Sequence, residues 1–120
     1  MGSAVRRGEV RWYTFRAPDK RRPVLILTRD SALSFLDSVT VAPITTTVRD
    51  IPSEVYLTQE DGLLAECAAN MDNLQTVPKS RVGSLITLLS AARMADVSRA
   101  VAFALGLDAQ ILWESDISLG

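Results

Sequence analysis

Two short aliphatic runs constrain the fold more than any other feature of this 120-residue chain. The first run, residues 21–27, opens on two arginines and Pro23, and the second, residues 42–47, closes on three threonines. Runs this short, bounded by turn residues, are typical of buried strands. Pro23 suits the first residue of a strand, where its missing N–H does little harm. If the two runs pair, arginines and threonine hydroxyls meet at one rim of a small sheet.

Other short strands are predicted along the chain. Alternating polar and apolar residues predict strands at 9–16 and 53–58, one or two more within 64–77, and a last one at 83–87. The strand predicted at 39–46 contains Pro43, which favours an edge position or a bulge. Single helical turns are predicted at 79–82 and after residue 30, where Asp30 or Ser31 would provide the cap.

One long helix is predicted near the C-terminus. Ser90 is its expected N-cap and Gly106 its expected C′ residue. Between them, four apolar residues fall on one stripe at helical spacing: Met94, Val97, Val101 and Leu105. Several short strands closed by one helix predict a mainly β fold, a small bent barrel or sheet with the helix at one end or face.

The distribution of charge is more informative than the net charge of −1. Residues 1–30 hold eight basic and three acidic residues, a balance of +5, whereas the remaining 90 residues carry −6. Such an asymmetry can make one face attractive to phosphate while the whole chain stays slightly acidic. Solvated surface charges would give the same pattern, so charge alone leaves nucleic-acid binding and an ordinary surface equally open.

The chain has no histidine and a single cysteine, Cys67. Any proton or phosphate chemistry must therefore proceed without imidazole. Cys67 cannot form an intrachain disulfide and has no histidine to activate it, so we expect a small apolar strand residue in a reducing cytoplasm. No apolar run approaches the ~20 residues of a membrane span. The scattered carboxylates predict no metal site and no cofactor.

The order and spacing of these motifs resemble those of the MazF/PemK family of bacterial toxins. Five stretches carry the resemblance: residues 7–10, 22–27, 43–45, 54–57 and 70–77. The resemblance implies an SH3-like β-barrel of the CcdB/PemK toxin type with a C-terminal helix, working as a homodimer in the bacterial cytoplasm. It predicts a flexible or cloning-derived N-terminus at 1–5, a single toxin domain at 6–106 and an acidic tail at 107–120.

The resemblance also implies an activity. Members of the family are toxins of type II toxin–antitoxin systems that cleave single-stranded RNA at specific sequences without a metal, which blocks translation and growth. The ribose 2′-OH attacks the adjacent phosphorus and leaves 2′,3′-cyclic phosphate and 5′-OH ends. The family's catalytic arginine matches Arg22, and its catalytic threonine matches Thr45. The implied partners are RNA and a small acidic antitoxin.

These residue types suit that chemistry. A guanidinium stays charged and can bind two phosphate oxygens, so Arg22 is assigned to stabilising transition-state charge. Thr45 can hydrogen-bond a phosphate oxygen or the 2′-OH. The acceptor of the 2′ proton is left open between Asp19 and water. Nine further residues are expected to contact RNA: Lys20, Arg21, Thr46, Thr47, Arg49, Asn70, Asp72, Asn73 and Gln75. The polar residues of 70–75 could instead satisfy backbone groups of a turn.

Two features of this chain depart from the pattern of the MazF/PemK family. The loop at 16–21 is shorter than in many relatives and lacks a glutamate found there, and the tail beyond Gly106 extends past the position where relatives usually end.

Two other functions are possible from the sequence. Trp113 in that tail favours a gyrase poison of the CcdB type, but that function gives Arg22 and Thr45 no role. A peptide-binding module with an SH3-like barrel is the third hypothesis.

Overall fold

The computed structural model describes residues 4–16 and 20–109, with the side chain of Lys20 outside the description. This part of the chain contains seven strands and two α-helices: β1 Glu9–Phe15, β2 Lys20–Ile26, α1 Asp30–Leu33, β3 Ser38–Thr45, β4 Glu54–Leu57, β5 Cys67–Asn70, β6 Gln75–Pro78, β7 Leu85–Leu88 and α2 Ala91–Ala104. Single-turn 3₁₀ helices lie at Gln59–Asp61, Met71–Asn73 and Lys79–Arg81. The predicted mainly β fold with one long C-terminal helix is confirmed.

The strands form one antiparallel, strongly curled sheet in the order β4-β5-β3-β2-β1-β7, with β6 also paired to β3. Strand β3 is the centre of this arrangement because it pairs with β2 on one edge and with two strands on the other. Its residues 38–41 pair with β6, and its residues 44–45 pair with β5. Strands β6 and β5 occupy successive parts of the same edge of β3, both antiparallel to it, and the sheet curls into a half-barrel.

Pro43 lies at the point where β3 changes partners. It is opposite Val24 of β2, and it falls in the gap between the residues that pair with β6 and those that pair with β5. Of the two predicted alternatives, an edge position or a bulge, the edge position is wrong, because β3 is an interior strand. A proline is tolerated here because the ladder is already interrupted at this position on one side of the strand.

Strand alternation divides the core between the two faces of the sheet. The first cluster of buried side chains lies under α2 and includes Val10, Leu25, Ile44, Leu57 and Val97. The second lies on the opposite face: Tyr13, Val24, Ile26, Leu33, Val39, Val41 and Val77. The aliphatic run of β2 supplies both clusters, as expected for a strand that is buried on both faces.

Helix α2 begins and ends with the predicted capping residues. The backbone N–H of Arg93 donates to Ser90 Oγ at 3.1 Å, and Gly106 has a φ of +74° just beyond the end. The apolar stripe is only partly correct, because Val97 is buried but Leu105 is 58% exposed. Ala100, rather than Leu105, completes the buried face of the helix.

The short helix α1 differs from its prediction at the cap. Arg29 occupies the N-cap position without a side-chain hydrogen bond. The expected cap by Asp30 or Ser31 is wrong, because the Asp30 carboxylate accepts from the backbone N–H of Arg7 at 2.8 Å. Among the described residues, no helix is long and apolar enough to cross a membrane.

Candidate active site

Arg22 and Thr45 share one face of the sheet. Val24 of β2 lies opposite Pro43 of β3 in an antiparallel register. The paired residues end there, and Arg22 and Thr45 each lie two residues farther along their own strand, on the same face as the Val24–Pro43 pair. Arg22 is exposed to solvent and Thr45 is half-buried. The paired sequence runs therefore carry the Arg22 guanidinium and the Thr45 hydroxyl on one face of the sheet.

The hydroxyl of Thr45 is held by the backbone that follows it. Thr45 Oγ1 accepts a hydrogen bond from the N–H of Thr47 at 3.1 Å, at the point where β3 ends. This bond uses the oxygen as an acceptor, so the hydroxyl hydrogen stays able to donate to a phosphate oxygen. On its other side, Thr45 pairs with Ala68 of β5, which fixes the backbone beneath the hydroxyl.

An open pocket of about 480 Å³ lies beside Arg22. Its lining comprises Arg22, Phe15, Pro43 and residues 72–75. Phe15 presents an aromatic ring to this space, and Asn73 and Gln75 present exposed amides. The pocket joins one cationic group to a stacking surface and to groups that can donate and accept hydrogen bonds, the combination that single-stranded nucleic acids require.

Two hydrogen bonds shape the acidic side of this pocket. Ser53 is buried and its Oγ donates to Asp72 Oδ2 at 2.5 Å. Asn70 is also buried, and its Oδ1 accepts from the backbone N–H of Asp72 at 2.8 Å. Of the two roles considered for Asn70, the structure therefore shows the turn-capping one. Ser53 was missed by the sequence reasoning because nothing in its neighbourhood marks a serine that orients a residue 19 positions away.

The remaining predicted contacts do not converge on the pocket. Alternation points Arg21 to the opposite face from Arg22, where its guanidinium carbon lies 4.2 Å from the centroid of the Trp12 ring. Thr46, Thr47 and Arg49 are exposed in the loop that follows β3. The side chain of Lys20 and the whole of Asp19 lie outside the described residues.

The Glu54 carboxylate at the start of β4 orders the loop that contains Arg49. The backbone N–H of Arg49 donates to Glu54 Oε1 at 2.9 Å, which ties the loop to the start of β4. Glu54 Oε2 is buried and has no hydrogen-bond partner among the described residues. The loop is thus held by its backbone, which leaves the Arg49 side chain in solvent.

Cys67 is buried in β5, as predicted for a small apolar strand residue. Burial raises the pKa of its thiol, and the negative charge of Asp61 raises that pKa further. A raised pKa reduces the thiolate fraction, so this side chain is a poor nucleophile. Among residues 4–16 and 20–109, no three carboxylate, thiol or imidazole groups lie close enough together to hold a metal ion.

Comparison with known proteins identifies the family. The family model of the PemK-like, MazF-like toxins of type II toxin–antitoxin systems matches residues 6–105. Endoribonuclease MazF3 of Mycobacterium tuberculosis is 43% identical over 90 residues, which cover 75% of this chain and 87% of that protein.

Two solved structures share the fold. The Mycobacterium tuberculosis toxin MazF-mt6 aligns with a TM-score of 0.75 at 38% identity, covering 82% of this chain and 96% of that one. A mycobacterial endoribonuclease in complex with its cognate antitoxin aligns with a TM-score of 0.77 at 30% identity, covering 87% and 97%. The chain belongs to the PemK-like, MazF-like toxins of type II toxin–antitoxin systems.

Proposed function

We propose that this toxin is an endoribonuclease that cuts single-stranded RNA at the rim formed by Arg22 and Thr45. The observation that supports the proposal is the β2–β3 register: Arg22 and Thr45 each lie two residues from the paired Val24 and Pro43 on one face, and Arg22 and Pro43 line the pocket. The relatives named as endoribonucleases support the same activity. Family membership favours this activity over a gyrase poison, whose expected Trp113 lies outside the described residues.

The chemistry uses the nucleophile that RNA carries. The 2′-oxygen forms a bond to the adjacent phosphorus while the bond from phosphorus to the 5′-oxygen breaks. The 2′ proton passes to water, and the departing 5′-oxygen takes up a proton from water, which leaves a 2′,3′-cyclic phosphate and a 5′-OH end. Catalysis then depends on holding the attacking oxygen in line and on stabilising the charge of the phosphorane.

Arg22 and Thr45 divide that work. The Arg22 guanidinium binds two non-bridging phosphate oxygens and opposes the negative charge that builds up on them. The Thr45 hydroxyl donates to a phosphate oxygen and fixes the orientation of the scissile group. Both residues project from paired strands, so their spacing is set by the sheet rather than by a loop.

The pocket beside Arg22 receives an unstacked base next to the scissile phosphate. Phe15 offers a stacking surface, and the amides of Asn73 and Gln75 can contact the edge of the base. The remaining oxygen of the Asp72 carboxylate accepts hydrogen bonds, which favours bases with an exocyclic amino group. Arg21, Lys20 and Arg49, together with Thr46 and Thr47, are proposed to contact the strand farther from the cut.

A second copy of the chain and an antitoxin complete the system in this proposal. The toxin acts as a homodimer in the bacterial cytoplasm, with RNA across the interface. Its antitoxin is a small protein with an acidic segment that covers the Arg22 face, because carboxylates imitate the phosphates of RNA there. The solved relative in complex with its cognate antitoxin supports a protein partner of this kind.

The test is cleavage of a long mixed-sequence RNA by the purified protein in the presence of EDTA. We expect cuts whose 5′ ends accept a phosphate from polynucleotide kinase without prior dephosphorylation, because they carry a 5′-OH. Arg22→Ala is expected to lower the cleavage rate by about 10²–10³, the usual loss for one group that stabilises transition-state charge.

Arg81→Ala is the matched control, because Arg81 is exposed and does not line the pocket. An equal loss of cleavage rate in Arg22→Ala and Arg81→Ala would indicate a general effect of removing positive charge. Cleavage that disappears in EDTA, or an Arg22→Ala protein as active as the parent, would contradict the proposed mechanism.

A further inference from the structure

Two of the buried polar side chains lie beside the pocket of the candidate active site. Of the residues that the structure describes, four polar or charged ones are buried: Glu9, Arg11, Ser53 and Asn70. Glu9 and Arg11 form a salt bridge with each other at 2.8 Å. Ser53 and Asn70 both hydrogen-bond to Asp72, which is exposed. Because burying a polar group costs free energy, two such groups directed at one exposed residue indicate that the orientation of Asp72 matters.

Asp72 is held at both its backbone and its carboxylate. The Asn70 side chain accepts from the backbone N–H of Asp72 at 2.8 Å. Ser53 Oγ donates to Asp72 Oδ2 at 2.5 Å, the length of a charge-assisted hydrogen bond between a hydroxyl and a carboxylate. Ser53 is itself fixed, because it is only 2% exposed and its carbonyl accepts from the backbone N–H of Met71 at 2.9 Å. The carboxylate therefore has one preferred orientation in the pocket.

The hydrogen bond from Ser53 leaves one carboxylate oxygen for a ligand. Oδ2 is held toward a buried serine, and Oδ1 makes no hydrogen bond with the residues that the structure describes. Asp72 lines the pocket together with Asn73 and Gln75, whose exposed amides can donate hydrogen bonds. The pocket thus offers one charged acceptor and neighbouring amide donors, rather than the two oxygens of a free carboxylate.

The bases of RNA differ in how well they match this set. Cytosine and adenine each carry one amino group next to a ring nitrogen that accepts. The amino group can donate to Asp72 Oδ1 while an amide donates to the ring nitrogen. Guanine carries two adjacent donors, N1–H and its amino group, which match the two oxygens of a free carboxylate. Because Oδ2 is occupied, one guanine donor would lose its partner, and a site rejects a ligand that leaves a polar group unpaired.

We propose that Ser53 is a positioning residue that sets the base selectivity of this pocket. By engaging Asp72 Oδ2, it makes the pocket accept cytosine or adenine and discriminate against guanine. The inference rests on the proposed function for its substrate class, single-stranded RNA. It concerns which base is bound rather than how the phosphate is cut, so the two can be tested separately.

Binding of RNA that cannot be cut provides that separate test. The probes are two pools of fluorescent 2′-O-methyl heptanucleotides, one a random mixture of uracil and cytosine and the other of uracil and guanine. Methylation removes the attacking 2′-hydroxyl. Fluorescence anisotropy is expected to show about 10-fold tighter binding of the cytosine pool, the effect of one hydrogen bond to a charged group. Equal affinity for the two pools would overturn the inference, even if the protein cuts RNA.

Ser53→Ala isolates the role of the serine hydroxyl. The substitution frees Asp72 Oδ2 to accept from guanine, so the preference for the cytosine pool should fall from about 10-fold to about 2-fold or less. In an Asp72→Ala protein, the same substitution should leave the preference unchanged, because no carboxylate remains to be positioned. A preference lowered equally with and without Asp72 would show a general structural role for Ser53 and overturn the inference.

Asp72→Asn tests the same orientation if Ser53→Ala does not fold. Ser53 Oγ is then expected to donate to the amide oxygen, so the amide nitrogen takes the place of Oδ1 and the pocket offers donors in place of an acceptor. The preference should shift toward the pool of uracil and guanine, whose carbonyl oxygens accept. An Asp72→Asn protein that still prefers the cytosine pool would contradict the inference.

Ser90→Ala is the matched control for Ser53→Ala. It also removes a serine hydroxyl that takes part in a hydrogen bond, at the cap of α2, but Ser90 does not line the pocket. Its preference for the cytosine pool should stay at about 10-fold, and an equal loss in both variants would overturn the inference. A protein that discriminates between the pools but does not cut RNA in EDTA would refute the proposed nuclease activity while supporting the role of Ser53.

Discussion

Replacing Gly62 with alanine is the sharpest test of how the turn after β4 holds the sheet together. Gly62 ends the 3₁₀ helix Gln59–Asp61 with a φ of +95°, a backbone conformation that favours glycine. A β-carbon built on it would lie 2.2 Å from Thr87 Oγ1 and 2.7 Å from Thr87 Cβ. Thr87 Oγ1 also donates to the carbonyl of Asp61 at 3.2 Å, so the same threonine both limits the space and binds the turn.

The expected cost follows from these contacts. An alanine in the left-handed region costs about 1–2 kcal/mol, offset by about 0.4–1 kcal/mol because alanine restricts the unfolded chain. Moving Thr87 out of contact adds about 1–3 kcal/mol, and losing its hydrogen bond to Asp61 adds about 0.5–1.5 kcal/mol. The terms together span about 1.5–6 kcal/mol, so we expect Gly62→Ala to lower the free energy of unfolding by about 4 kcal/mol.

Gly106→Ala separates the backbone cost from the steric cost. Gly106 also has a positive φ, +74°, but nothing lies within 4 Å of the position its β-carbon would take. Only the backbone terms apply there, so we expect a loss of about 1 kcal/mol. Urea unfolding measured on both variants gives the comparison. If Gly62→Ala is no less stable than Gly106→Ala, the contact with Thr87 does not constrain the fold.

Three further outcomes are expected. Burial alone would raise the pKa of Asp61, but hydrogen bonds from Arg93 and the backbone of Thr58, together with the Arg93 charge, hold that pKa below its usual value. A depressed folded pKa stabilises the protein above the unfolded pKa and loses that effect as the pH falls through the folded value, so Asp61→Asn should flatten the acid side of a stability–pH curve. Because burial raises the pKa of the Cys67 thiol, an aromatic disulfide reagent at neutral pH should react with it far more slowly in the folded protein than in urea. Ser90→Ala should lower the free energy of unfolding by about 1 kcal/mol in a urea titration, because it removes the cap of α2.

The order of strands and helices could be predicted from the sequence because each of them forms largely in response to its neighbouring residues. The aliphatic run of β2 and the Ser90 cap each depend on neighbouring residues, and both occur as predicted. Strand β1 also forms, but its alternation does not give a solvent-exposed polar face, because Glu9 and Arg11 are buried and joined by a salt bridge of 2.8 Å. Pro43 shows where local reasoning stops. A proline in a strand predicts an interruption of the ladder, but only the partners of the strand decide whether that interruption lies at an edge or in the interior.

Part of the candidate site could be inferred from the expected pairing of two sequence runs. The register pairs Val24 with Pro43, and Arg22 and Thr45 each lie two residues from that pair. The surrounding polar residues could not be sorted in the same way. Asn70 and Asp72 are two positions apart, yet one is buried as a turn cap and the other lines the pocket, a difference that depends on the 3₁₀ helix between β5 and β6.

The partner change along β3 explains why the pocket forms where it does. A strand paired with one neighbour along its whole edge would continue flat past Pro43, and residues 72–75 would have no reason to approach Arg22. Because β6 pairs with β3 before Pro43 and β5 pairs with it after Pro43, the connection between β5 and β6 lies beside the edge of β3 at this point. That connection carries Asp72, Asn73 and Gln75 to the side of Arg22. The same interruption that tolerates a proline in an interior strand therefore creates the space in which a base can lie beside the scissile phosphate.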